Sequence, residues 1–452
     1  MSLNIYSWGV MIAFSLSILF GTVFSLNIIR VIDVDNLYDL KRIIVIAFIF
    51  LSSIGLLSFK KVEFFRWSNS SQMFFLGYIT LAVISTSMSK HAYWSGVELA
   101  NIGLLFCSFY VLSTCIRTIH GDTFYRCLFA FVLLFSLLTF VRYVIFLGLF
   151  YFDGNAFNIH SLVSGYSNVR FFNQLQVMLM PVLLLPFFLQ SMEKYKNLSV
   201  FALSFHWVVL LQTEARGALL SLIIGLFLLA CFLPSSSRKI LVYSTVKSIL
   251  LGIVLWLIFI ICIPMWVIES SSFQLRTGSS GRIDLWLYVL NSISKELWFG
   301  FGPMSFVWAE GRPLPNAHPH NSVMQLLYEY GIVVCIVITT WIIRRVYGRL
   351  AYLKETMHSS TIPITYAVLS ALIYSLFSGI IVMPMAQFLL VFLVAIQVQY
   401  CEVNFGKVGL FGKLFLMISV SIMSVIIFSS YQDGELLEAR FPRIWLNGLI
   451  SY

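Results

Sequence analysis

Runs of about twenty consecutive apolar residues recur along this chain from one end to the other, and that feature removes most folds from consideration. Inside a bilayer every backbone N–H and C=O has to be satisfied without water, which favours helices that bond within their own segment. Composition agrees. Hydrophobic residues make up 60% of the chain and charged residues 11%, with a mean hydropathy of +0.91, far outside the range of soluble domains.

Apolar segments fall near residues 5–29, 42–59, 72–89, 97–119, 124–151, 171–190, 198–213, 217–234, 247–268, 322–343, 361–378, 379–399 and 411–429. The expected fold class is therefore all-α: a polytopic membrane helical bundle of about 12–13 transmembrane helices. Residues 1–452 are read as a single transmembrane domain with no extramembrane domain. The first run, Ile5 to Ile29, exceeds the apolar core of a signal peptide and follows no basic leader, so it is read as a retained span.

Seven cysteines (Cys107, Cys115, Cys127, Cys231, Cys262, Cys335 and Cys401) lie mostly inside apolar runs, without close pairing or ligand spacing. They read as small core residues, and neither a disulfide nor a metal site nor a cofactor is expected. The formal charge of +10 comes with no basic patch interleaved with aromatics, so nucleic acid is not an expected partner. In a membrane chain such an excess marks cytoplasmic loops beside anionic lipid.

With the N-terminus inside, those loops carry Lys60, Lys61 and Arg66, then Arg117 and Arg126, Lys194 and Lys196, Arg238 and Lys239, and Arg344, Arg345, Arg349 and Lys354. Opposite loops hold mostly single arginines, Arg170, Arg216, Arg276, Arg282 and Arg312, with Lys41 and Arg42 as an exception. The longest loop, 269–321, then faces the periplasm or cell exterior. Within it "RIDLWLYVLNSISKELWFG" places Ile283, Leu285, Leu287, Leu290, Ile293 and Leu297 near helical spacing, which predicts a short amphipathic helix along the membrane surface. Gly300, Gly302 and Pro303 in "GFGPMSF" end that helix and swing the chain back toward the bundle.

Chemistry concentrates in this loop and beside it. Arginine near a span is expensive, so Arg170 in "YSNVRFFNQLQ", Arg216 in "QTEARGALL" and Arg282 in "GSSGRIDLW" each need a partner or a task. Singly, each could snorkel or pair with a neighbour, Glu214 for Arg216 and Asp284 for Arg282. Together, three guanidinium forks around one polar loop suit the oxygens of a diphosphate. "NAHPHNSVMQLLYEYGI", residues 316–332, adds His318 and His320, whose ordinary pKa of about 6.5 allows proton transfer near neutral pH. Pro319 disfavours helix at His318, so the next span starts near His320 or Asn321, with Asn321 able to cap it. His320 is the first candidate for a base. His318 is either its orienting partner or a loop residue, and a structural cap is the alternative for both.

The order Arg282…Trp286, "FGFGPMSF" and "HPHNSVMQLLYEYGI" resembles the signature of the bacterial O-antigen ligase family, a group that also takes in O-antigen polymerases and protein O-oligosaccharyltransferases. "QTEARGALLSLIIGL" and, more weakly, "YSNVRFFNQLQ" resemble two earlier stretches of that family. The resemblance implies a multi-pass bacterial inner-membrane glycosyltransferase, metal-independent and inverting. Such an enzyme takes a glycan from undecaprenyl diphosphate on the periplasmic side and joins it to an acceptor hydroxyl. It further implies that Arg216 and Arg282, with Arg170 less directly, bind the diphosphate and that His320 is catalytic. The expected acceptor is a lipid A core sugar in lipopolysaccharide assembly, with another glycan repeat unit or a protein serine or threonine as alternatives. Two readings of other classes compete: a lipid-linked glycan transporter or flippase, and a non-catalytic assembly partner. Transport would favour ionisable residues deep within spans, where Arg142 is the main example.

Overall fold

A computed structural model describes residues 2–22, 37–163, 168–268, 278, 281–355, 359–400, 405–431 and 443–446. Each of the thirteen expected apolar segments corresponds to a helix. They are α1 (Leu3–Thr22), α2 (Leu37–Leu57), α3 (Asn69–Met88), α4 (Ala92–Ile119), α5 (Asp122–Phe152), α6 (Val169–Leu179, extended irregularly to Phe188), α7 (Lys196–Gln212), α8 (Arg216–Phe232) and α9 (Ser235–Trp256, extended through a π-turn to Val267). After the short helix α10 (Arg282–Ser292) come α11 (Ser322–Glu355), α12 (Thr361–Tyr374), α13 (Pro384–Gln397) and α14 (Leu410–Ser429).

Among the described residues, nine helices are long and apolar enough to cross a bilayer. The other four are α7 and α8 with 17 residues and α12 and α13 with 14. At 1.5 Å per residue, 14 residues span about 21 Å, short of the roughly 30 Å of hydrocarbon. The expected spans 361–378 and 379–399 are thus two short helices joined by an irregular stretch, 375–383. Gly379 and Pro384 lie at and beside this break, where a continuous helix is disfavoured. Ile380, Val382 and Met383 are buried in protein, the condition under which irregular backbone is tolerated there.

A second break interrupts α11. Gly331 adopts φ 79° and ψ 179°, so the helix that begins at Ser322 stops and restarts there. Phe301 N–H donates to Tyr328 O and Gly302 N–H to Glu329 O, each at 2.9 Å, laying the "GFGP" turn directly on the broken helix. Of the long polar loop, residues 269–277, 279 and 280, including Arg276, lie outside the described residues. So do residues 23–29 of the first expected span, Cys401, and all of the C-terminal tail beyond Tyr431 except 443–446.

Two short strands, β1 (Val62–Phe65) and β2 (Phe405–Val408), pair antiparallel between the α2–α3 and α13–α14 connections. These connections are separated by ten of the thirteen helices, an even number, so their pairing fits a bundle in which every helix crosses. That end also carries Lys60, Lys61, Arg66 and Arg117, and Lys407. The α3–α4, α5–α6, α7–α8 and α12–α13 connections gather with the 281–321 loop at the other end. Lys41 and Arg42, the exceptions to the charge pattern, are not loop charges at all: both are buried in α2, at the latter end. Arg142 in α5 rests its guanidinium over the Phe146 ring, 5.4 Å from the centroid.

Candidate functional site

The expected amphipathic helix is α10. Its Leu285 and Val289 are buried against Phe306 and Tyr328, while Ile283, Leu287 and Leu290 remain about half exposed on the other side. Packing on one face and an apolar surface on the other hold this helix along the bundle, with Arg282 at its first residue.

From α10 the loop is clamped residue by residue. Trp286 Nε1–H donates to Pro319 O at 3.0 Å, and Arg443 Nη1 reaches Ala317 O at 3.4 Å. Asn321 Oδ1 accepts from the N–H groups of Val323 and Met324 at 2.9 and 3.1 Å, capping α11. Ser322 N–H bonds Ser375 O at 2.9 Å, tying this helix start to the irregular 375–383 stretch.

Between these clamps the two imidazoles stand 4.2 Å apart, centroid to centroid, at 65°. His318 is buried, and its Nδ1 accepts the backbone N–H of His320 at 3.1 Å, so in the neutral ring the proton sits on Nε2. That bond holds His320 at φ 54°, a left-handed conformation that a non-glycine residue adopts only when its surroundings enforce it. His318 in turn packs closely on Gly379, where an added Cβ would meet Cε1 at 2.5 Å. His320 is partly exposed and presents the freer ring.

The arginines converge on the same loop. Arg282, half-buried, lies within electrostatic reach of Arg216, His320 and His318. Arg282 forms no ion pair with Asp284. Arg216 is exposed and donates to Gly278 O at 2.6 Å. Arg170 donates to Thr213 O at 2.9 Å, and the Tyr374 phenol is close enough to feel the charges of both Arg170 and Arg282. Burial pushes the Arg282 guanidinium below its ordinary value, with Tyr374 opposing and Arg216 adding to the shift. Burial, then Arg282, pushes His320 down to about 4, while burial, His320, Arg443 and Arg282 hold His318 well below the usual histidine range. Both rings are neutral at neutral pH.

Sequence reasoning missed a buried ionic cluster directly behind the histidines. Arg443 Nη2 donates to Glu329 Oε2 at 2.8 Å and to Glu98 Oε1 at 3.2 Å. Burial disfavours the Arg443 charge, but the two carboxylates outweigh it and raise its pKa. The Arg443 carbonyl accepts from Tyr38 Oη at 2.7 Å and from Arg42 Nη2 at 3.0 Å. Arg42 also bonds Ile444 O at 2.6 Å and Asn101 Oδ1 at 2.8 Å, and Leu446 N–H bonds Asp39 Oδ1 at 2.6 Å. Residues 443–446 are therefore threaded into the bundle. Lone carboxylates in apolar runs, Glu98 and Glu329, were the available signal.

Residues 199–339 match the protein-family model described as O-antigen ligase. No curated protein and no solved structure matches the chain. The matched segment starts in α7 and ends in α11, so it holds Arg216, Arg282, His318 and His320 and leaves Arg170, Glu98, Gly379 and Arg443 outside.

Proposed function

From the match of residues 199–339 to the O-antigen ligase family model, we propose that the chain transfers a glycan from undecaprenyl diphosphate to an acceptor hydroxyl at the periplasmic face of the inner membrane. Proximity of Arg282 to both Arg216 and His320 is the observation that carries this reading, since it joins an anion-binding pair to a proton acceptor. The basic residues at the opposite end of the bundle support a periplasmic site by the positive-inside rule.

Arg216 and Arg282, with Arg170 at the edge, bind the diphosphate. His320 takes the proton from the acceptor hydroxyl as its oxygen attacks the anomeric carbon. The bond from that carbon to the diphosphate oxygen breaks, the electron pair leaves with the diphosphate, and the guanidinium groups stabilise the growing charge. One displacement inverts the anomeric centre. His318 fixes the His320 backbone. In the unliganded protein burial, and after it the field of Arg282, make His320 a weak base; a bound diphosphate offsets the Arg282 field and moves the imidazole back toward the range in which general bases work.

Lipid A core sugar is the proposed acceptor, and deleting the gene tests it: loss of long-chain lipopolysaccharide supports it, whereas loss from pilin or altered polymer length reassigns the acceptor. Purified protein given lipid-linked glycan and acceptor tests the chemistry. His320→Ala should lower transfer about a hundred- to ten-thousandfold, with His318→Ala less severe. Arg282→Lys should fail as well, because lysine keeps the charge and loses the fork. Wild-type rates in His320→Ala or Arg282→Lys would overturn the mechanism, and glycan movement without a new glycosidic bond would favour a transporter.

A further inference from the structure

Beside Arg170 the structure contains a cavity of about 450 Å³, formed where the end of α5 and its following turn meet the start of α6 and the end of α7. Its size falls within the few-hundred to about 1,000 Å³ typical of small-molecule sites. Asn158, His160, Asn168, Arg170, Gln212 and Glu214 supply most of its polar wall, and Phe157 an apolar one.

We propose that this cavity binds sugar residues of the lipid-linked glycan, an inference that rests on the glycan-transfer reading above and names a second contact for the same donor. The wall chemistry selects this ligand class. Amides, an imidazole, a carboxylate and one guanidinium interleave donors with acceptors, matching hydroxyl groups that both donate and accept. A second diphosphate would meet Glu214, and a polyprenyl chain would meet a polar surface, so neither fits.

The wall is also built to stay in place. Tyr143 Oη donates to Gln212 Oε1 at 2.8 Å, which fixes the amide and leaves Gln212 Nε2 buried without an acceptor among the described residues. Thr213 Oγ1 accepts from Asn173 at 3.2 Å, Asn173 donates to Gln176 at 3.1 Å, Gln176 to His206 Nδ1 at 3.1 Å, and His206 Nε2 meets Ser136 at 2.9 Å. These bonds tie α6, α7 and α5 together behind the cavity. Glu214 sits at φ 51°, a strained conformation, and its carbonyl accepts the Arg216 N–H at 2.9 Å. One turn therefore presents Glu214 to the cavity and Arg216 to the diphosphate. Sugar bound in the cavity would help set the register of the donor on the arginines.

The test uses full-length protein in nanodiscs and two probes: the oligosaccharide repeat released by mild acid from the host's lipid-linked glycan, and inorganic pyrophosphate. Wild-type protein should bind both. Gln212→Leu should weaken oligosaccharide binding about tenfold and leave pyrophosphate binding unchanged. Asn158→Ala and His160→Ala, at exposed side chains whose loss does not threaten folding, should act the same way and raise KM for the donor with little change in kcat. Arg282→Lys should do the reverse, losing pyrophosphate and keeping oligosaccharide. Undiminished oligosaccharide binding in Asn158→Ala and His160→Ala, or none to wild-type protein, overturns the proposal. Pyrophosphate binding that is unaffected by Arg282→Lys overturns the diphosphate reading instead.

Discussion

Arg443 Nη2 lies 2.8 Å from Glu329 Oε2, so a residue 114 positions farther along the chain is ion-paired to the helix that His320 introduces. Both side chains are buried, Arg443 at 1% exposure and Glu329 at 0%. A buried charge that loses its partner costs about 3–5 kcal/mol, whereas removing both partners together costs far less.

Arg443→Met should accordingly destabilise the protein by roughly that amount, because Glu98 and Glu329 are left together without their counter-ion. Adding Glu98→Gln and Glu329→Gln to the same chain should restore much of the loss. Thermal unfolding in detergent measures both. Additive losses across the set would mean that the three groups do not act as a unit.

Gly379→Ala addresses the seat of His318. A methyl group there would stand 2.5 Å from His318 Cε1 and 2.6 Å from Nε2, so the ring has to move. His320 follows, since its N–H is held by His318. A displacement of about 1 Å can lower a rate by roughly a hundredfold, and transfer should fall on that scale with expression unchanged. Wild-type activity in this variant would show that the imidazole pair tolerates displacement.

Acid should weaken the fold through the same pair. Both histidines have folded pKa values below their ordinary 6.5, His320 at about 4. Above pH 6.5 neither state takes up protons at these rings; below it the unfolded chain does so first, and stability declines toward pH 4. His318→Gln with His320→Gln should lose less stability than wild type between pH 7.5 and 5. Parallel melting curves would place the histidines in an ordinary solvated environment.

Sidedness is open to direct labelling. In a chain with its seven cysteines replaced by serine, Glu310→Cys should react with a membrane-impermeant thiol reagent on intact spheroplasts, and Lys354→Cys only after lysis. Both positions are exposed and lie at opposite ends of the bundle. The inverse labelling pattern would put the site in the cytoplasm.

The spans were legible because apolar length is a local property: each of the thirteen runs contains its own evidence. Asn321 as a cap was legible for the same reason, a short polar residue just before an apolar helix. Three things were not. Gly331 inside "YEYGIVV" looks like a tolerated glycine until Gly302 and Phe301 are seen bonding to the preceding turn. Gly379 looks like an ordinary residue of a span until His318 is placed on it. Arg443 looks like tail because its partners, Glu98 and Glu329, lie far away in sequence, and no periodicity links residues so distant.

Pairing of Phe65 with Phe405 in the two-stranded ribbon has a consequence for how the protein is made. About 340 residues separate the strands, and at about 5–20 residues per second the ribosome needs on the order of tens of seconds to deliver the second. During that interval α4 is already in the lipid while α13 and α14, which pack on it, have yet to be synthesised. Glu98 rides in α4 and enters the membrane before Arg443 exists. The newborn bundle thus carries a carboxylate awaiting its counter-ion, and closure of the site depends on residues made long after that carboxylate has entered the membrane.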